Sequence, residues 1–188
     1  MIETTGVPFA RFTYECPSYL KNLSASSEVK ALIHLPTASS PFYNMNGRYM
    51  FFQTFHQKKI PQGYVANLAL TPENNSQITR MEQLYDDLLS GDAQPLLAEL
   101  QINNIDLIVI HKTTLIGRSP FIPGMKVIWA PFYTVRHELI GSRQVGPFIE
   151  TPIPEQGIEA LRNIFQKELA DPVYEDSEVL VFDVGTLN

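Results

Sequence analysis

Apolar residues along this chain fall into two kinds of pattern, continuous runs and helical stripes. Continuous runs bounded by polar or proline stops occur at 29–35 (VKALIHL, closed by Pro36) and at 105–110 (IDLIVI). Both predict strands. The second is apolar throughout except for Asp106, so it predicts a central strand buried on both faces and flanked by 29–35. The aromatic run Tyr49-Met50-Phe51-Phe52 predicts a further strand over 49–55. Near the C-terminus, residues 171–176 and 179–184 read as a hairpin across an Asp-Ser-Glu turn. Helical spacing takes over from Ser76, where Ile78, Met81, Leu84, Tyr85, Leu88 and Leu89 share one face up to Gly91. A short helix capped by Asp92 carries Leu96, Leu97 and Leu100. A longer one opens at Pro154-Glu155 and runs to about Leu169, with Ile158, Leu161, Ile164 and Phe165 inward. Ser18 predicts the cap of a brief helix to Leu23.

The rest of the chain is read as connection. Residues 1–18 form an extended lead-in, and 36–48, 113–126 and 141–154 are proline- and glycine-punctuated loops. Residues 125–140 fit a helix imperfectly, with Pro131 as a kink or a start. Strands and helices interleave, so the fold class is α/β or α+β: a single mixed β-sheet of about four to six strands flanked by helices.

Length and charge narrow the picture. At 188 residues the chain reads as a single globular domain, 1–188, or as a fragment of a larger membrane protein. Its 14 basic and 20 acidic residues give a net charge of −6, which argues against nucleic acid as a partner. Cys16 is the single cysteine, so no internal disulfide or thiolate metal site can form. With Glu15 beside it, a packed core thiol fits Cys16 better than a nucleophile. No window approaches the roughly 18 apolar residues of a membrane span. MIETTGVPFARF has no basic-then-apolar leader pattern. Taken as written, the chain reads as soluble.

Candidate chemistry collects in two places. The segment QTFHQKKIPQGY (53–64) holds His56, Lys58, Gly63 and Tyr64 beside aromatic bulk, the usual make-up of a ligand-site edge. Gly63 either takes positive φ or admits a close backbone; as a plain turn glycine after Pro61 it needs neither. The strand 105–110 then delivers His111 and Lys112 at its C-terminal end, so both segments are expected to place a His–Lys pair at one sheet edge. Two such pairs suit an anion such as a phosphate, diphosphate or carboxylate. The lysines oppose a bound cation, so no metal is expected, and the absence of glycine-rich and nucleophile-elbow signatures implies no cofactor. His34, inside the first strand, reads as a structural core or edge histidine. The acidic pairs Asp86-Asp87 and Glu175-Asp176 read as solvated surface. Two other classes stay open. In one, His56 and His111 act as acid and base in a free-standing soluble enzyme. In the other, Trp129, Phe132 and Tyr133 form the docking patch of an interaction module.

In order along nearly the whole chain, ETTGVPF, ALIHLP, QTFHQKKIPQGY, IDLIVIHK and PVYEDSEVLVFDV resemble the soluble, extracytoplasmic C-terminal domain of polytopic membrane glycosyltransferase-like proteins of the GT-C type. The resemblance implies an accessory domain packed on the membrane-embedded part of the same protein, at the extracytoplasmic face. It also implies a lipid-linked sugar or other anionic ligand as partner. The family's catalytic acidic residues lie in its transmembrane part, so no catalytic residue is carried over and the isolated chain is expected to be inactive. The long aromatic-rich stretch 113–154 departs from the pattern.

Overall fold

The computed structural model describes residues 15–36, 45–61, 80, 83–84, 87–88, 90–117, 143–145 and 148–186. Its organising strand is β2 (Leu107–His111), buried at every position. On one side β2 pairs in parallel with β1 (Leu32–Leu35), matching Leu32 to Leu107 and His34 to Val109. On the other it pairs antiparallel with β7 (Val179–Asp183), which in turn carries the two-residue β6 (Tyr174–Glu175). The result is a mixed four-stranded sheet in the order β1-β2-β7-β6. The expected central strand, its neighbour and the C-terminal hairpin are all present. Asp106, the one polar residue of the run, accepts the backbone N–H groups of Lys30 and Ala31 and so ties the start of β1 to the start of β2.

The pleat explains why these strands are apolar at successive positions. Ile33, Leu35, Ile108, Ile110, Leu180 and Phe182 point to one face, and Leu32, Leu107, Val109, Val179 and Val181 to the other. The first face is covered by α3 (Gln94–Ile102) through Leu96, Leu97 and Leu100, and by α4 (Glu155–Gln166) through Ile158, Leu161, Ile164 and Phe165. Leu84 and Leu88, from the stretch expected to be helical and helical here at residues 80, 83, 84, 87 and 88, join the same core. The second face is covered by α1 (Ser18–Leu23) and α2 (Met45–His56), which contribute Leu20, Leu23, Tyr49 and Phe52. The chain therefore has an α/β architecture with helices on both faces.

Several expectations are corrected. Residues 49–55 are not a strand but the body of α2, whose first turn also takes up the end of the expected loop 36–48. Tyr49, Phe52 and His56 are fully buried while Met50 and Phe55 are exposed, a spacing only a helix gives. Gln57, at φ 57°, ends α2, and its N–H still bonds the Gln53 carbonyl at 2.8 Å. Segments 113–126 and 141–154 are not wholly loop. β3 (Thr113–Gly117), β5 (Phe148–Pro152) and β4 (Arg143–Val145) form a second, antiparallel sheet in the order β3-β5-β4. Pro152 sits at the end of β5, where it bounds the strand and does not break it. Helix α1 forms where expected, although Pro17 and not Ser18 occupies its N-cap position. Lys112 joins the two sheets: its N–H bonds Glu178 and its carbonyl accepts from Ile153. No helix among the described residues is long and apolar enough to cross a membrane.

Candidate functional site

Three of the motif segments converge on the α1–α2 face. His34 and His111 lie on this face of adjacent strands two residues out of register, and Nδ1 of His34 is 2.9 Å from Nε2 of His111. That contact needs one ring to donate and the other to accept. Tyr49 of α2 stacks on both rings, at centroid distances of 4.5 Å from His34 and 5.0 Å from His111. Phe52 stacks on His111 at 5.5 Å and meets His34 edge-on. His56, at the last turn of α2, brings its ring to 5.5 Å from His34. Its Nδ1 accepts the Lys58 N–H at 3.0 Å, so Nε2 carries the hydrogen. That buried N–H has no partner among the described residues.

The relative exposure of His34, His56 and His111 is 0%, 0% and 1%. Burial drives the pKa of His34 and of His111 well below the ordinary 6.5, and the positive charge of Arg48 and the neighbouring imidazoles push the same way. His56 falls to about 4, mainly through burial and secondly through Lys58. The cluster is therefore neutral at physiological pH. Neutral, enclosed rings offer an anion no charge and a substrate no access.

The lysines do not join them. Lys58 sends its ammonium to the Ser26 carbonyl at 2.5 Å. Lys112 is held by Glu175 at 2.7 Å and by the Asp176 carbonyl. Of the residues expected to bind one ligand, the structure unites His56 and His111 and directs the ammonium groups of Lys58 and Lys112 to other partners. Gly63, Tyr64, Trp129, Phe132 and Tyr133 lie outside the described residues. Cys16 is buried, and burial lifts its thiol to about 11, which removes the thiolate a nucleophile needs.

Next to the imidazoles is a charged pair that sequence reasoning passed over. Arg48, on the first turns of α2, meets Glu150 of β5 at 2.9 Å, with side chains only 6% and 7% exposed. The Thr113 hydroxyl accepts from both terminal nitrogens of Arg48 and donates to Glu150, each at 3.1 Å. The guanidinium also lies over the Phe52 ring, 5.2 Å from its centroid. A cleft of about 250 Å³ is lined by Arg48, Glu150, Thr113, Glu15, Pro17 and Glu178 among others. Its three carboxylates outnumber its one guanidinium, which disfavours an anionic occupant. No sequence signal marks Arg48 and Glu150 as partners: both fell in stretches read as irregular. Among the described residues, no group of three or more His, Cys, Asp or Glu side chains is placed to hold a metal ion.

No family model, no curated protein and no solved structure matches this chain.

Proposed function

We propose that this chain is an accessory domain of a membrane glycosyltransferase-like protein, non-catalytic on its own. It packs on the membrane-embedded part and helps shape the site for a lipid-linked sugar phosphate or its acceptor. One observation supports the reading: four of the five segments that resemble such domains, over their described residues, build a single structural unit, while ETTGVPF lies outside the described residues. ALIHLP supplies β1, QTFHQKK closes α2, IDLIVIHK is β2, and PVYEDSEVLVFDV is the β6–β7 hairpin. Their histidines meet as buried neutral groups, which suits a scaffold and not a reaction. Acid–base catalysis by His56 and His111 is disfavoured, since a general acid or base must come within hydrogen-bond reach of its substrate.

The test is to follow the native protein in cells with an antibody raised against this chain. The reading expects the epitope in the membrane fraction, on a polypeptide larger than 21.3 kDa, and open to protease from the extracytoplasmic side. A soluble species of this chain's own mass overturns it.

A further inference from the structure

Helix α2 is fastened to two different sheets. Through Tyr49 and Phe52 it lies on the hydrogen-bonded pair His34–His111 of the four-stranded sheet. Through Arg48 it reaches Glu150 and Thr113 of the three-stranded sheet. The opposite face of the large sheet, under α3 and α4, is filled by aliphatic and aromatic side chains, with no buried histidine among the described residues. Among the described residues, the three histidines thus all lie in one layer of the molecule.

We infer that the His34–His111–His56 cluster is an acid-released latch, holding α2 and with it the three-stranded sheet against the four-stranded sheet until protonation frees them. The geometry of the cluster sets its rings against one another once they are charged. The 2.9 Å nitrogen–nitrogen contact survives only while one ring keeps a lone pair facing the other, so doubly protonated rings repel. Among the described residues, the charged groups that act on these rings are cations. From α2 come Arg48 and the His56 ring, and from the segment after α2 comes Lys58. From the strands come the two imidazoles themselves, with Lys112 beyond His111 turned to Glu175. Glu150 of β5, the one buried carboxylate among the described residues, is bound to Arg48 and Thr113. Glu15 and Glu178 line the same cleft as that pair, and the Cys16 thiol, raised to about 11, stays neutral in this range. Solvating the rings by lifting α2 is the available response to an arriving proton.

Hydrogen exchange read by mass spectrometry, from about pH 7.5 down to about pH 4.5 and corrected for intrinsic exchange rate, tests this. Peptides of α1 and α2 should lose protection below the ordinary histidine value of 6.5, by about tenfold per pH unit for each proton taken up, while α3 and α4 keep theirs. Simultaneous loss in all four helices, or level protection of α2 across the range, overturns the latch. His111→Gln keeps a group that can donate to or accept from His34 but cannot charge, so it should flatten the α2 response. Should that variant fail to fold, ring nitrogen shifts of the native protein decide. His34 and His111 must stay neutral until α2 opens and then titrate with it. Rings that titrate while α2 stays closed, or stay neutral while it opens, refute the proposal.

Discussion

The buried pair Arg48–Glu150 shows how a single residue can matter more for what it would leave behind than for what it contributes. Two charges at 2.9 Å inside the protein gain Coulomb energy but have both lost their water, and the balance of such a pair is near zero. Removing one partner strands the other. Arg48→Met and Glu150→Gln are each expected to cost about 3–5 kcal/mol in urea denaturation, and the double variant much less than their sum. Additive losses would mean that the two side chains do not share one network. The surface pair Lys112–Glu175 is the contrast. Lys112→Met should change stability by no more than about 1 kcal/mol, because both groups remain partly in water. Sequence reading found His56 and His111 because each ends an apolar run. It had no route to Arg48 and Glu150, which are far apart in sequence and meet only after the second sheet has formed.

At the scale of elements, legibility followed how far a segment's neighbours decide its form. β2, α4 and the β6–β7 hairpin were readable because their patterns leave one solution: a run buried on both faces, a strongly one-sided helix, two strands across a short turn. The aromatic run in α2 has residues that favour strands, and its buried set Tyr49, Phe52, His56 becomes visible as helical only once Met50 and Phe55 are known to face outward. Pro152 helped hide β5 because a proline that bounds a strand looks the same in sequence as one that prevents it. The helical assignment separates two phenylalanines three positions apart. Phe52→Ala should cost about 3–5 kcal/mol and Phe55→Ala less than about 1 kcal/mol, measured by chemical denaturation. Equal losses at both sites would contradict the orientation of α2. Gln57→Gly should be neutral or stabilising by up to about 1 kcal/mol, since the helix ends there at φ 57°.

For the molecule as a whole, the described groups whose pKa values are shifted make stability depend on pH, and the sign follows from the direction of each shift. His34, His56 and His111 have folded-state pKa values below the ordinary 6.5, so below that pH the unfolded chain binds more protons than the folded one. Stability is full above about 6.5 and falls as the pH drops toward the folded values, of which His56 at about 4 is one. Each histidine contributes at most about 1.4 kcal/mol per pH unit over that window. Cys16 acts at the other end. Its thiol is raised from 9.0 to about 11, so above pH 9 the unfolded chain loses protons first and the folded state weakens again. Glu175 is lowered from 4.5 by its hydrogen bond to Arg162 and then by Lys112, so it withdraws support only under more acidic conditions, as pH falls below 4.5. Stability plotted against pH should therefore form a plateau between about pH 6.5 and 9, with a histidine-governed fall on the acid side and a shallower one on the alkaline side. Urea midpoints measured across that range check it. A midpoint that held level from pH 7 down to pH 5 would show that the three imidazoles are reached by water in the folded protein, and the enclosed cluster, the latch built on it and the scaffold reading of these motif histidines would all lose their basis.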